Sequence, residues 1–431
     1  METWQQQSFD AIIIGSGPGG ATVANELSKR GKRSLILEWG KASPIKGTIS
    51  QSAGMALIPG QSLLFTSQFH TLVRGITLGG SSIIAYASAF EPPHDMFEAY
   101  GIDLRREAEE AKRDLPIAPL SDDLIGPAAK RIMRSAQALG FSWDKLPKIV
   151  YQDNCRLDCD KCTMGCPYGA KWTARMFVEQ ATARGSLLLT GARVERIETS
   201  NSTANPVVFS MGGNLYQVCA PIIVLAAGGI GTPLVLRSSG IHDAGFKFFF
   251  DPLIIVNGSV EDLDVGREFP MAAGFQDKEE GYILTDLVWP GWIYRIFTAQ
   301  VFRLDRLASH RRTLPIMVKI KDELGGQITD RGVVKKQLGE VDRMRLDRGC
   351  EKAEEILRNA GAHHIYRTWY TATHPGGTAK IGDVVDSNLK TKLDNLYVCD
   401  CSVIPQAWGL PPTLTLISLG KRLAKHLIEE L

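Results

Sequence analysis

The chain has 431 residues, 44% hydrophobic and 22% charged, with 49 Lys and Arg against 47 Asp and Glu for a net charge of +2. This composition is ordinary for a soluble globular protein of roughly two or three domain-sized units, and its charge gives no global field that would recruit nucleic acid or an anionic membrane. No stretch approaches the ~20 apolar residues of a membrane helix and no signal-peptide pattern is recognised, so the expected compartment is the cytoplasm.

Phe9 to Ile14 reads as a short buried strand and Pro18 to Arg30 as a helix, with Ala21, Val23, Ala24 and Leu27 inward. Ser34 to Leu37 reads as a second buried strand ending at Glu38, which completes a βαβ unit. Between the first strand and the helix stands Gly15-Ser16-Gly17-Pro18-Gly19-Gly20, a G-x-G-x-x-G fingerprint. Gly15 permits the turn, Gly17 lets the backbone approach a pyrophosphate, and Gly20 lets helix and strand pack closely. Gly15, Gly17, Pro18 and Gly20 are thus expected to line a dinucleotide at a helix N-terminus, where free N–H groups favour anions. Glu38 is placed to accept a ribose hydroxyl and would repel a 2′-phosphate, which disfavours NADP. This unit alone does not separate FAD from NAD.

Residues 40–90 are rich in Gly, Ser and Thr and read as extended segments that wrap a ligand. Asp122 to Leu139 reads as a helix, and a cysteine segment follows it. Cys155, Cys159, Cys162 and Cys166 are spaced C-x3-C-x2-C-x3-C-P, and the second half copies part of the bacterial ferredoxin run. Four thiolates in one compact loop point to an iron–sulfur cluster. Zinc is the rival, although structural zinc more often uses two separated C-x2-C knuckles, and disulfides are less expected in a reducing compartment. The remaining cysteines, Cys219, Cys350, Cys399 and Cys401, are dispersed.

Strand-like runs follow at Ser186–Leu189, Val194–Glu198, Val207–Ser210 and Ile222–Leu225, the last leading into a helix that reaches Arg237. Leu253–Val260 and Tyr282–Val288 point to an antiparallel sheet. Val341 to Asn359 reads as a helix, and the chain closes with strand Leu396–Cys399 and helix Thr413–Ile428. The expected fold is α/β (α+β as a whole). A Rossmann-like dinucleotide domain is assembled from residues 1–90, 185–245 and 372–431. Residues 91–184 form a helical, cysteine-bearing insertion, and residues 246–371 an antiparallel-sheet substrate domain.

Leu78-Gly79-Gly80-Ser81-Ser82 resembles the loop that lies along the flavin in the glucose–methanol–choline (GMC) oxidoreductase family. The run Val224 to Pro233 resembles that family's strand–turn–helix near the adenosine. His374-Pro375-Gly376-Gly377-Thr378, the run Asn395 to Pro405, and Pro411-Pro412-Thr413-Leu414-Thr415 resemble its C-terminal signature. The resemblance implies FAD, with Gly79, Gly80, Ser81, Ser82, Val194, Ala227, Gly228, Asp400, Pro412 and Thr413 joining the fingerprint at the cofactor. Asp400 would hold a ribityl or phosphate-side hydroxyl, and the helix opened by Thr413 would aim its positive end at the isoalloxazine. Gly165 to Lys171 resembles a segment of GMC glucose dehydrogenases and long-chain alcohol oxidases. In the former a nearby cysteine set carries a 3Fe–4S cluster. With four cysteines here, 4Fe–4S is the first expectation and 3Fe–4S the second. Such a cluster implies a one-electron outlet to an electron-transfer protein or subunit, and so a dehydrogenase rather than an oxidase.

By the same resemblance His374 is the base over the flavin, a role imidazole suits because it titrates near working pH. A lone histidine is often a packed core residue; the surrounding motif favours the catalytic role. The family's second His or Asn would fall at Pro411, which has no side-chain donor or acceptor, and a family asparagine would fall near Ala85. The resemblance implies hydride transfer from an alcohol-type substrate to flavin, and these departures keep open hydride abstraction from a ring carbon, or reduction of a C=C bond with electrons entering through the cluster; non-redox isomerase or hydratase chemistry is a third reading. Phe248–Phe250, Trp289, Trp292, Tyr294, Trp369 and Tyr370 fit a small-molecule substrate that is apolar or cyclic, and fit ordinary core packing equally well. Arg367 suits a substrate carboxylate or a surface ion pair.

Overall fold

The computed structural model describes residues 3–431, so the first two positions of the 1–90 segment lie outside it. Five parallel strands form one sheet in the order Leu396–Val398, Ile222–Leu225, Ala11–Ile14, Ser34–Glu38 and Leu187–Thr190. The three central strands are buried at every position. That matches their near-continuous apolar sequences, since a parallel sheet is covered on both faces. Helix Pro18–Lys29 packs between helices Ala174–Ala183 and Thr413–Glu430. Because neighbouring strands run the same way, Glu38 at the end of its strand and Gly15, Ala227 and Asp400 just beyond theirs all fall at the carboxyl-end side of the sheet. That side is where open α/β sheets bind ligands.

A second, nine-stranded sheet has Pro252–Ser259, Thr313–Ile320 and Tyr282–Asp286 at its centre. Its pairs are antiparallel except where Thr371–Ala372 runs parallel to Thr71–Val73. Strand alternation divides its residues between two faces. Ile254, Val256, Ile316, Val318 and Ile320 pack with Leu346, Cys350, Ala353 and Leu357 of helix Glu340–Asn359. Leu253, Ile255 and Met317 point the other way, toward Tyr86, Phe90 and Trp289. A three-stranded antiparallel sheet, Arg193–Ser200, Thr203–Met211 and Asn214–Val218, stands beside the parallel one.

Two local readings change. The helix expected over Asp122–Leu139 is a 3-10 turn, Asp122–Leu124, followed by helix Pro127–Ala138. Pro127 forces the break, since the residue before a proline is pushed out of the helical region, and Gly126 is extended at φ −75°, ψ 168°. The wrapping segment 40–90 contains an unexpected helix, Ile49–Ala56, capped by Thr48. It also contributes Leu63–Phe65 and Thr71–Val73 to the nine-stranded sheet.

Candidate active site

The three glycines of the fingerprint differ in the space around them. Gly15 has φ +100°, and a Cβ on it would lie 2.3 Å from the Ala226 carbonyl oxygen. A Cβ on Gly20 would lie 2.3 Å from the Gly15 carbonyl oxygen, so helix and strand touch there. A Cβ on Gly17 would meet no atom within 4 Å. The open volume therefore lies over the middle glycine, at the start of the helix that Pro18 opens, and this fits a bound pyrophosphate.

The glycine–serine loop lies across this opening. A Cβ on Gly80 would lie 3.1 Å from Gly17 Cα. The Gly79 N–H donates to Ser16 Oγ at 2.9 Å, and that hydroxyl donates to Glu38 Oε2 at 2.5 Å. Glu38 also accepts the Ser16 N–H at 3.0 Å and the Gly40 N–H at 2.6 Å. Burial raises its pKa against the pull of these bonds. Ser82 Oγ donates to the Gly79 carbonyl at 2.6 Å and accepts the Ala174 N–H at 3.0 Å, while Ser81 Oγ accepts the Gly75 N–H.

Asp400 is buried, with its carboxylate engaged inside the chain. One oxygen takes the Gly228 N–H at 2.8 Å and the Thr232 hydroxyl at 2.5 Å; the other takes the Ser402 N–H at 2.8 Å. It thus ties the Ala227-Gly228 turn to the C-terminal signature. Thr413 is the first residue of the last helix, directly after the buried Pro412. Val194 stands apart from the strand edge, half-buried opposite Phe209.

The cysteine loop packs under the same glycine–serine loop. Lys171, fully buried, donates through Nζ to the carbonyls of Ile83 at 2.6 Å, Ala85 at 2.7 Å and Cys162 at 2.6 Å. One ammonium therefore joins the cysteine segment to the segment over the fingerprint. Burial lowers its pKa to about 8, opposed by Cys162 and Cys166. Backbone N–H groups reach three of the sulfurs: Arg156 to Cys155, Lys161 to Cys159, and Lys171 to Cys166 at 3.5 Å. Burial pushes Cys155 up to about 11 and Cys162 up to about 12, with the neighbouring thiols adding to both. All eight cysteines are free. Four thiols are the right donors for a cluster, and N–H groups at sulfur are among the contacts that tune one. The expected ligand shell is not closed, however. Among the described residues no group of three or more His, Cys, Asp or Glu side chains is gathered to hold a metal ion, and this includes Cys155, Cys159, Cys162 and Cys166.

His374 has φ +49°, a left-handed position costly for a side chain with a Cβ. Its ring is 27% exposed. Nδ1 lies 3.3 Å from Asp251 Oδ2, 3.3 Å from Lys319 Nζ and 3.5 Å from Thr373 Oγ1. Among the described residues Nε2 has no hydrogen-bond partner. Burial, and then the Lys319 ammonium, hold His374 well below its ordinary pKa, so the ring is neutral at neutral pH. Pro411 is buried, and Ala85 engages Lys171 through its carbonyl.

A pocket opens on the Leu253 face of the nine-stranded sheet, lined by Ile255, Leu287, Trp289, Tyr294, Phe297 and His310. Arg367 is not in it; that side chain bonds to Glu354 at 2.8 Å and Asp347 at 2.9 Å, an ion pair.

Residues 9–269 match the N-terminal model of the GMC oxidoreductases, and residues 323–420 match the C-terminal one. This chain belongs to the GMC oxidoreductase family. It is an FAD-dependent oxidoreductase. An uncharacterized protein of Methanocaldococcus jannaschii is 27% identical over 97% of this chain and 100% of its own length. The long-chain-alcohol oxidase FAO3 of Arabidopsis thaliana is 22% identical over 97% of this chain and 68% of its own. The pyridoxine 4-oxidase structure from Mesorbium loti superposes with a TM-score of 0.76 at 17% identity, covering 97% of this chain and 99% of that one. An Aspergillus oryzae formate oxidase gives 0.77 at 15% identity, covering 99% of each. At such identities the two structures bear on the fold alone. The described residues of this oxidoreductase include no helix long and apolar enough to cross a membrane.

Sequence reasoning missed Asp251, Lys319 and Lys171. The first two reach His374 from distant segments. Lys319 carries a visible signal, a single charge inside the apolar strand Thr313–Ile320, where alternation turns it away from helix Glu340–Asn359.

Proposed function

We propose that this oxidoreductase dehydrogenates an alcohol-type small-molecule substrate, with His374 as the base. The observation that carries the reading is the neutral imidazole, anchored through Nδ1 and with Nε2 free. Nε2 takes the hydroxyl proton as the substrate becomes a carbonyl compound. When bound, FAD supplies the acceptor for the substrate's hydride. Gly15, Gly17, Pro18, Gly20, Glu38, Gly79, Gly80, Ser81, Ser82, Val194, Ala227, Gly228, Asp400, Pro412 and Thr413 would hold it, within residues 1–90, 185–245 and 372–431. The name of the Arabidopsis relative makes long-chain alcohols the first class to test.

Cys155, Cys159, Cys162 and Cys166 would hold an iron–sulfur cluster, 4Fe–4S before 3Fe–4S, in the 91–184 insertion. The amide donors at their sulfurs support this. A cluster would supply a one-electron outlet toward an electron-transfer protein, and the Lys171 tether places its loop beside the segment over the fingerprint. The test is anaerobic purification with metal analysis, followed by titration with long-chain alcohols. Roughly four irons per chain and bleaching of the flavin absorbance are expected from this chemistry. Zinc without iron would overturn the cluster. An oxidised flavin that no alcohol bleaches, but that an enone reoxidises after reduction, would reverse the direction of reaction.

A further inference from the structure

Position 411 is proline, so no side chain there can partner His374, yet the ring does not lack polar company. Three groups meet Nδ1 from separate segments: Asp251 after strand Phe246–Phe248, Lys319 from strand Thr313–Ile320, and Thr373 beside the histidine. We propose that Asp251 and Lys319 act together as positioning residues for His374. Asp251 accepts the Nδ1 proton and so leaves Nε2 bare, while Lys319 opposes positive charge on the ring. This rests on the reading of His374 as the base.

A neighbouring pair provides the contrast. Lys336 closes on Asp322 at 2.7 Å, donates to the Phe248 and Glu323 carbonyls, and Asp322 accepts the N–H groups of Phe250 and Asp251. Its polar groups are well matched, as a buried pair requires. Lys319 and Asp251 are as deeply buried, at 1% and 0% exposure, but stand 3.9 Å apart with the imidazole nitrogen near both. The Gly409 N–H approaches the Asp251 carboxylate, but Oδ1 makes no hydrogen bond of full geometry. A pair left open around a third group is poor as a stabilising device and well arranged to control that group.

The choice at Nδ1 is binary. Carrying a proton, it donates to Asp251 and Nε2 offers a lone pair. Bare, it accepts from the Lys319 ammonium and Nε2 becomes a donor, unable to take a hydroxyl proton. The ionised Asp251 selects the first state, as a carboxylate does in hydrolase triads. Asp251 titrates at about 7, raised by burial against the pull of Lys319 and Lys336; Lys319 titrates at about 8, lowered by burial against the pull of Asp251. Asp322 and the Cys401 thiol complete the ionisable groups around Asp251. The base-competent tautomer therefore belongs to pH values above about 7, where Asp251 is charged.

The test is imidazole 15N spectroscopy of the holoenzyme labelled in histidine, from pH 5.5 to 9, with flavin content as the check on folding. In the wild type His374 is expected as the Nδ1–H tautomer above about pH 7, changing to Nε2–H below it. Asp251→Asn should hold the Nε2–H form throughout, and its kcat should fall ~10²–10⁴-fold with KM little changed. Lys319→Met should raise the pKa of His374. An Nε2–H ring at pH 8 in the wild type overturns the proposal, and that measurement needs no variant to fold. Unchanged tautomer and pKa in both folded variants do the same. The spectra are read without substrate. If they behave as expected while no alcohol bleaches the flavin, the base assignment fails and the positioning device stands.

Discussion

Asp251 and His374 meet at 3.3 Å from two backbone positions that are both left-handed, φ +45° and φ +49°. Neither residue relieves this strain with glycine, so the surrounding structure must hold it. The Phe249 N–H bonds to the Gly376 carbonyl and the Gly376 N–H returns to Phe249, each at 3.0 Å, which clamps the two strained segments together. Strain of this kind fixes a side chain where chemistry needs it.

Replacing His374 by Ala should lower kcat/KM by ~10²–10⁴-fold, the range for losing a general base. FAD content should be unchanged, because no residue of the fingerprint touches the ring. Steady-state kinetics with a reactive alcohol and the flavin absorbance of the purified variant check the two halves.

The fingerprint glycines should separate by what they touch. Gly17→Ala adds a methyl where the chain has no atom within 4 Å, at an extended φ of −66°, so folding should be preserved while flavin content falls. Gly20→Ala drives a methyl to 2.3 Å from the Gly15 carbonyl oxygen and should lower thermal stability as well. Thermal melts of the two apo proteins, read beside their flavin content, distinguish the cases.

Lys171→Met removes the ammonium shared by three carbonyls. A buried acceptor left unsatisfied costs about 1–3 kcal/mol, and partial relaxation should keep the total near ~2–4 kcal/mol. Flavin content should fall, and on the proposed cluster assignment iron should fall with it, because the bridge joins both loops. Denaturant unfolding and cofactor analysis provide the readouts.

Glu268 gives a pH-dependent prediction. Its carboxylate accepts the Ala128 and Ala129 N–H groups at the start of helix Pro127–Ala138, yet burial, opposed by those bonds, raises its pKa to about 7. A carboxyl whose folded pKa lies above the unfolded value keeps its proton longer in the native state. Its contribution to stability is therefore largest below about pH 4.5 and declines as pH rises toward about 7. Glu268→Gln retains an acceptor oxygen without the charge. The variant should melt above the wild type at pH 8 and lose that advantage at pH 5.

The cofactor edge was legible in the sequence because its parts are local. A strand, a glycine turn and a helix follow one another, and Glu38 ends the next strand. The two ends of the chain carry motifs whose residues meet at one edge of the parallel sheet. The environment of His374 was not legible, because Asp251 and Lys319 come from segments with no motif and depend on antiparallel register to meet. Leu253 pairs with Lys319 in that register, which places the lysine beside the strand that follows Asp251. The three-residue strands Leu63–Phe65 and Thr71–Val73 are too short to show a period, so their membership of the second sheet could not be read either. The cysteine spacing was plain, but spacing does not determine which way four thiols turn.

The order of strands in the parallel sheet has a consequence for biosynthesis. Ile222–Leu225 lies between the first strand and Leu396–Val398, and helix Thr413–Glu430 packs on the helix of the fingerprint. The wall that covers the fingerprint is translated some four hundred residues after it. Strand pairings this distant in sequence form slowly. The glycine turn should thus stay half-covered, and close on its nucleotide only once residues 396–430 have been made and have docked.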